Sequence, residues 1–391
     1  MKEPLWNLRY TRMCLGNFFQ YLTHYTLIAA LSVFVVRDLG LGGNQAGLAL
    51  TFFQIGAVLF RPFAGKWMDD FDKSKVLFAT SALFCLVCFA YLGAKAVVFL
   101  LILRFVHGVA FSTGTTATAT MVAVYSPASR KGEGIGYLAV FTSVAMVIGP
   151  FIGLKLINEY SATLLFAACA FFGLAGFFCS AVRVLPQPKT EAPAQKKSFR
   201  WQNLIDPNAL PIACCGGLLA FVYSSLLGFL PLFAHNLGMM ELASYFFAVY
   251  ALSIILSRPF IGRLFDRVGP RTVVYAAALI YLAGMAGLSQ VESPGAFLLA
   301  GAVTGLGFAG LNPSFQTLAV LAAPPDKSGL ATSTYFLFMD IGIGLGSFVL
   351  GPVAEFAGYR AMYLGCSLLV IAIAALFYAV SRRLRTGSAY T

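Results

Sequence analysis

The sequence predicts an all-α integral membrane protein with twelve transmembrane helices. Its composition, its repeated apolar runs and the distribution of its charges lead to this prediction. Hydrophobic residues make up 59% of the 391 residues and charged residues 11%, whereas soluble domains average about 45–50% and about 25%. A soluble core cannot hide so much apolar surface, but lipid tails solvate it. The composition therefore excludes an ordinary soluble protein.

Apolar runs of about twenty residues alternate with short polar breaks along the chain. The first run is too long for the apolar part of a signal peptide, so we predict a retained span. The longest break, 185–206, is rich in Pro, Gln and Lys and predicts a cytoplasmic linker between six-helix bundles at 1–184 and 207–391. The predicted spans are 11–36, 45–64, 75–94, 97–122, 133–157, 161–183, 208–234, 243–262, 272–290, 296–321, 329–354 and 361–381.

The basic residues fall almost entirely on one side of these spans. Of the 27 Lys and Arg residues, 22 are assigned to one side and 4 to the other, while Arg104 lies within a span. Cytoplasmic loops collect Lys and Arg, so both termini are predicted to be cytoplasmic in a multi-pass protein of the cytoplasmic (inner) membrane. The net charge of +12 is explained by this asymmetry, and we expect no nucleic-acid partner.

The two halves of the chain repeat each other. The segment 61–63 (Arg-Pro-Phe), Gly65 and Asp69 recur 197 residues later as 258–260, Gly262 and Asp266. A chance similarity of two loops would not keep this register. The repeat predicts two similar bundles that rock against each other around a site at their interface.

These repeated loops resemble the loop signature of the major facilitator superfamily, a Gly and then a carboxylate four residues on, followed by basic residues. Gly262, Asp266 and Arg267 fit it well, whereas the first copy has Asp70 where a basic residue is usual. The resemblance implies a cytoplasmic latch that holds an outward-open arrangement. Its implied parts are Gly65, Asp69, Gly262, Asp266 and Arg267, with Arg130 as a partner.

The fourth and fifth spans extend the resemblance, which covers essentially the whole chain, to proton-coupled drug antiporters. Leu101-x-x-Arg104-x-x-His107 resembles the fourth-helix signature of proton-coupled members, which implies that Arg104 serves coupling or substrate binding. A structural anchor is the alternative. Gly149-Pro150, followed by Gly153, looks like the Gly-Pro signature of exporters and predicts close packing and a hinge.

Polar residues inside the spans are the candidate binding residues. Asn17, Gln20, Tyr21 and His24 share one face of the first span, which predicts that they line a central cavity. Hydrogen bonds between helices are the alternative. No carboxylate lies in the middle of this span, which favours neutral, zwitterionic or anionic cargo over cations. Further candidates are Gln54, Tyr223, Tyr250, Asn312 and Gln316.

Three titratable residues are candidates for the transported proton. Asp340 is the acid that lies well inside a span, and burial of a carboxyl favours its protonated form. Pairing with a neighbouring base is the competing interpretation. His24 and His107 are the other candidates, although a buried histidine is more often a satisfied hydrogen-bonding group.

Together these features predict a secondary active transporter that exports a small organic molecule by proton antiport and alternating access. The alternatives are uptake by proton symport or facilitation, and export of a metallophore or siderophore. No enzyme motif such as HExxH or GxSxG is present. We expect a monomer whose partners are substrate, protons and lipid, driven by the proton gradient without a cofactor. Cys85 and Cys88 form a lone CxxC in an apolar run, which does not predict a metal site.

Overall fold

The computed structural model describes residues 5–40, 43–181, 204–239 and 241–386. This part of the chain folds into twelve helices without strands. The first ten are α1 Leu8–Val33, α2 Gly43–Asp70, α3 Lys73–Ala90, α4 Val97–Tyr125, α5 Lys131–Lys155, α6 Ala162–Ser180, α7 Leu210–Asn236, α8 Leu242–Val268, α9 Pro270–Ser289 and α10 Pro294–Ala322. The last two lie within Ser328–Thr386.

Gly358 divides this last segment into α11 and α12. Its φ of 84° and ψ of 160° are not helical, and glycine adopts a positive φ without the steric cost that a Cβ brings. The break confirms the two spans predicted at 329–354 and 361–381. All twelve predicted spans are confirmed as helices, with ends that move by a few residues.

Side-chain caps explain several of these ends. Asp72 accepts hydrogen bonds from the backbone N–H groups of Ser74 (2.9 Å) and Lys75 (3.0 Å) at the start of α3. Asn7 caps α1 through the N–H of Tyr10 at 2.9 Å. Such caps satisfy N–H groups that have no partner within the helix.

By length and composition, ten segments of the described chain qualify as membrane spans, with α11 and α12 counted as one. The structure thus confirms the predicted all-helical membrane fold.

The helices form two bundles, α1–α6 and α7–α12, which meet through α2 against α11 and α5 against α8. We call the end at which α2 and α8 finish and α5 and α11 begin the basic end. The hydroxyl of Tyr10 near the start of α1 donates to the carbonyl of Gly134 near the start of α5 at 2.7 Å. Arg12 donates to the carbonyl of Ala181 after α6 at 3.0 Å, so the start of α1 and the end of α6 both lie at this end. Of the predicted linker 185–206, only 204–206 are among the described residues.

Candidate functional site at the interface between the bundles

The basic end is closed where α2 meets α11. Both carboxylate oxygens of Asp69 accept hydrogen bonds, one from the N–H of Gly329 and one from the N–H of Leu330, each at 2.8 Å. These N–H groups belong to the first turn of α11, where the helix dipole favours a negative charge. Gly65 permits the approach, since a Cβ there would come within 2.7 Å of the carbonyl oxygen of Gly329 and closer still to the Ser333 hydroxyl.

The contact between α8 and α5 repeats this geometry. Asp266 accepts from the N–H groups of Gly132 and Glu133, each at 3.0 Å, and a Cβ on Gly262 would lie 2.9 Å from the Cα of Glu133. Both the carboxylates and the N–H groups that they cap are related by the offset of 197 residues found in the sequence. In both halves, therefore, the carboxylate meets the N-terminus of a helix of the other bundle.

The basic side chains around the two contacts differ. Glu133 is buried and accepts from Arg130 Nε at 2.7 Å and from Arg263 Nε at 3.2 Å. The second of these ion pairs joins the two bundles. Arg130, predicted as a partner of the latch carboxylates, thus pairs with Glu133 of its own bundle. Arg267 is exposed.

An ion pair between Arg61 on α2 and Asp340 on α11 joins the bundles further from the basic end. Arg61 Nε donates to Asp340 Oδ2, and Nη2 lies 3.5 Å from Oδ1. The Arg61 guanidinium also lies over the Phe336 ring at 5.0 Å from its centroid, with the Thr115 hydroxyl 3.4 Å from Nη1. The side chains are 6% and 15% exposed. Asp340 therefore has the base partner that the sequence left as the competing interpretation.

Two arginines that the sequence analysis assigned to cytoplasmic loops are in fact buried in helices. Arg61 lies within α2, and Arg258 lies at the equivalent position of α8 with 4% exposure. The Nε and Nη1 atoms of Arg258 have no hydrogen-bond partner in the described structure. The predicted spans 45–64 and 243–262 already contain these two positions, so counting both arginines with the loop charges was wrong. The Lys and Arg residues that remain in the predicted loops still fall mostly on one side of the spans.

Arg104 and His107 lie inside the first bundle. Arg104 is fully buried, and its Nε donates to the carbonyl of Ala49 at 3.0 Å while its guanidinium lies 4.5 Å from the centroid of Phe53. The Nδ1 of the buried His107 is 3.0 Å from the hydroxyl of Tyr91. These contacts fix α4 against α2 and α3. They favour a structural anchor for Arg104 and a satisfied hydrogen-bonding role for His107.

The polar face of α1 is shared between neighbouring helices. Asn17 Nδ2 donates to Thr142 Oγ1 of α5 at 2.9 Å, which is the helix–helix bond named as the alternative. Gln20 is buried with both amide atoms unpartnered in the described structure. Tyr21 packs edge-on against Phe111 at 5.0 Å between centroids, and His24 stacks on that same ring at 4.4 Å.

The candidates of the second bundle form an aromatic layer beside Arg258. Tyr223 stacks on Phe308 at 4.6 Å and on Tyr250 at 6.2 Å, and its hydroxyl reaches across the interface to Met146 Sδ at 3.5 Å. The Tyr250 hydroxyl is buried without a partner among the described residues. Asn312 Oδ1 accepts from the Tyr335 hydroxyl at 2.6 Å. Gln316 is also buried on α10, whereas Gln54 is exposed on α2.

The Gly-Pro segment of α5 packs on α1. A Cβ on Gly149 would lie 2.6 Å from the Cβ of Tyr25, and a Cβ on Gly153 would collide with the carbonyl of Thr26. Pro150 lies inside α5, which continues to Lys155. The close packing predicted for this segment is present.

Three buried charged residues at the interface were not among the predicted site residues, namely Arg61, Arg258 and Glu133. The signal for the two arginines was available, since both belong to the repeated Arg-Pro-Phe triplet. Glu133 gave no such signal, because Leu330 occupies its place in the repeat. Among the described residues, no group of three or more His, Cys, Asp or Glu side chains could hold a metal ion.

Comparison with known proteins agrees with this architecture. The sequence matches the Major Facilitator Superfamily over residues 13–347, with a further match over 212–389. It is 22% identical over 373 residues to the staphylopine export protein of Staphylococcus aureus, covering 90% of this chain and 92% of that one. It is 27% identical over 390 residues to an uncharacterized MFS-type transporter of Pseudomonas aeruginosa, covering 97% and 94%.

A solved structure shares the fold. The crystal structure of the human organic anion transporter MFSD10 (TETRAN) aligns with a TM-score of 0.78 at 15% identity, covering 96% of this chain and 100% of that chain. The family match spans most of the sequence, and the two bundles with their repeated latch are in place. The chain therefore belongs to the Major Facilitator Superfamily and is a multi-pass membrane transporter, not an enzyme.

Proposed function

We propose that this transporter exports a small organic molecule in exchange for protons, by alternating access, and that Asp340 carries the coupled proton. The observation that carries the proposal is the buried ion pair between Arg61 and Asp340, which joins the two bundles. A carboxylate at this depth in a membrane protein is costly and marks a functional position. The export direction is supported by the exporter-like Gly149-Pro150 segment and by the name of the S. aureus relative.

The pair links protonation to the arrangement of the bundles. When Asp340 is ionised, its charge holds Arg61 and strengthens the contact between α2 and α11. When Asp340 is protonated, the attraction is lost and the basic end opens more easily. A proton that enters from the opposite side thereby favours the state open at the basic end, where it is released. A ligand biases a conformational equilibrium only through such a difference between two states.

The same geometry describes the path of the cargo. With both latches closed, access to the interface is blocked at the basic end, which we take to be cytoplasmic from the excess of Lys and Arg there. Cargo enters when this end opens and binds between the bundles, as in related transporter folds. Closure of the two latches and reformation of the Arg61–Asp340 pair then favour release on the far side.

Everted membrane vesicles test this proposal. They are energised so that the lumen becomes acidic, and a dye reports lumenal pH while lipophilic cations, sugars, amino-acid derivatives and metal chelators are added. We expect one class to cause proton efflux in the wild type and in Asp326→Asn, which removes an exposed carboxylate at the basic end. Asp340→Asn should abolish the proton signal.

A second measurement separates coupling from structural damage. Asp340→Asn vesicles are loaded with the active compound, and exchange of its radiolabelled form is followed without a gradient. Retained exchange with no proton movement supports Asp340 as the coupling residue. Proton efflux that persists in Asp340→Asn would place the proton elsewhere, and the absence of a proton signal with every class would refute antiport.

A further inference from the structure

Arg258 is a buried cation without a counter-ion in the described structure. Its side chain lies at the interface between the bundles, and two of its three guanidinium nitrogens have no hydrogen-bond partner there. The tyrosines 25, 223, 250 and 335 lie close enough to interact with it electrostatically, and no carboxylate among the described residues forms an ion pair with it. Removing an unpaired charge from water costs several kcal/mol, so the position calls for an explanation.

The equivalent arginine in the other half has its counter-ion. Arg61 pairs with Asp340, and the residue 197 positions before Asp340 is Ser143 on α5. The latches show that α5 and α11 are equivalent in this register, because the capped N–H groups of Gly132 and Gly329 obey the same offset. Ser143 is buried, and its hydroxyl donates to the carbonyl of Ala139 at 2.9 Å. The arginine is thus present at both equivalent positions, 61 and 258, whereas position 143, which is equivalent to Asp340, has no acid.

A small cavity adjoins Arg258. It is lined from α5 by Gly136, from α8 by Gly262 and from α10 by Ser314 and Thr317. The cavity therefore lies between the two bundles, beside the latch formed by α8 and α5. Its lining also includes the apolar residues Ile261, Phe265 and Pro313. The charge of the Arg258 guanidinium suits an anion rather than a cation.

Arg104 is also buried without an acid, and its Nη1 and Nη2 likewise have no hydrogen-bond partner in the described structure, but its surroundings differ. It lies inside one bundle, its Nε is bonded to the carbonyl of Ala49, and its guanidinium covers the Phe53 ring. These contacts stabilise the charge from within the protein. Arg258 differs from Arg104 in its place at the interface between the bundles and in the cavity beside it.

We infer that Arg258 binds an anionic group of the transported molecule, a carboxylate or a phosphate, and that the cargo is an organic anion or zwitterion. The inference rests on the proposed transport function and specifies its substrate class. A guanidinium presents two parallel N–H donors that match the two oxygens of such a group. The unpartnered hydroxyl of Tyr250 supplies a further hydrogen bond beside it.

Binding to the purified protein in detergent tests this inference without any gradient. The probes are matched pairs that differ in charge, namely benzoate with benzamide, N-acetylglutamate with N-acetylglutamine, and phenyl phosphate with phenol, together with inorganic phosphate. The shift of the thermal unfolding midpoint with concentration gives an apparent Kd for each. We expect a saturable shift with the more anionic member of at least one pair, but not with its matched partner. A shift with inorganic phosphate alone would show an ion site without organic cargo and would refute the substrate class.

Three variants and a control complete the test. Arg258→Gln should weaken binding of the anionic probe at least about tenfold, and Arg258→Lys should weaken it less, because it keeps the charge but loses the paired donors. Ser143→Asp keeps Arg258 and supplies the missing acid, so it should abolish anion binding without lowering the unfolding midpoint. Arg382→Gln removes an exposed charge at the end of α12 and should bind as the wild type does.

The outcomes separate this inference from the proposed function. Equal binding of the matched pair members, unchanged anion binding in Arg258→Gln, or no anion-selective shift with any pair would refute the role of Arg258. Anion-selective binding that depends on Arg258, together with an absence of proton exchange in vesicles, would instead leave the site intact and refute antiport.

Discussion

The two contacts between the bundles, α2 with α11 and α8 with α5, are alike at the basic end and different deeper in the membrane. At the basic end each has a carboxylate on a helix N-terminus and a glycine that allows close approach. About two helical turns from each carboxylate lies a buried arginine, but only Arg61 has an acid to pair with. The parts that close the molecule are therefore repeated, whereas the parts that carry charge chemistry are not.

The surroundings of the latches show a second difference. On the α8 side, Arg263 forms an ion pair with Glu133 across the interface. On the α2 side, Leu330 stands in the place of Glu133, and Lys66 pairs with Asp70 of its own helix at 3.1 Å. The atypical Asp70 of the first loop thus has a structural explanation. One latch has an ion pair between the bundles beside it, and the other latch lacks this support among the described residues.

The largest effect is expected from breaking the Arg61–Asp340 pair. Asp340→Asn leaves a buried guanidinium without its counter-ion, and loss of one partner of such a pair costs about 3–5 kcal/mol. The free energy of unfolding, measured by denaturant titration in mild detergent, should fall by that amount. The double variant Arg61→Gln with Asp340→Asn should recover much of the loss, because neither charge remains. Equal losses in the single and double variants would show that the pair does not stabilise the fold.

At the equivalent position of the other half, the free energy of unfolding is expected to rise instead of fall. Arg258→Met removes a buried charge that has no counter-ion in the described structure, so the protein without ligand should become more stable. An unsatisfied buried polar group costs about 1–3 kcal/mol, which sets the size of the gain. The same titration measures it, with Arg382→Met as the exposed control. A loss of stability in Arg258→Met would mean that the protein itself satisfies this arginine, and the contrast between the halves would disappear.

The fold followed from the sequence because membrane insertion imposes simple rules. Apolar length defines the spans, and the repeated segment around Arg61 and Arg258 predicted two related bundles. The latch carboxylates Asp69 and Asp266 were also found, since their spacing from a glycine is local in sequence. Their backbone partners could not be predicted, because only the tertiary fold shows which helix N-terminus meets each carboxylate.

The chemistry of the interface could not be predicted to the same degree. Arg61 lies near the end of the predicted span 45–64, and the sequence does not tell whether a charge so close to a loop is buried. Its pairing with Asp340, 279 residues away, depends on how two bundles pack. The polar face of α1 was identified by its period, but whether Asn17 faces cargo or Thr142 is decided by the position of α5.

A smaller effect is expected from weakening the latches one at a time. In Asp69→Asn or Asp266→Asn the side chain still accepts a hydrogen bond but loses the charge that favours a helix N-terminus, a change of about 0.5–2 kcal/mol. Asp69→Asn should open the basic end more than Asp266→Asn, because the α8 side keeps the Arg263–Glu133 pair beside its latch. On the α2 side the Arg61–Asp340 pair lies about two turns deeper.

Electron spin resonance distances can measure this opening. Spin labels are attached to cysteines that replace the exposed Lys75 and Asp326, one in each half, with the half-buried Cys179 and Cys214 changed to Ser. The population at longer distance should increase from wild type to Asp266→Asn to Asp69→Asn. The reverse order would show that the Arg263–Glu133 pair does not support the second latch.

The smallest effect is expected from the two ion pairs beside the latches, Arg263–Glu133 and Lys66–Asp70. Arg263 and Lys66 are equivalent in the repeat, yet only Arg263 reaches the other bundle. Arg263→Gln should therefore increase the open population between the same labels, while Lys66→Gln should leave it unchanged, because the pair with Asp70 lies within α2. The effect of Arg263→Gln should weaken as salt rises, since exposed charges are screened. If Lys66→Gln opens the basic end as much as Arg263→Gln, general repulsion among basic residues, and not the ion pair across the interface, sets the closure at this end.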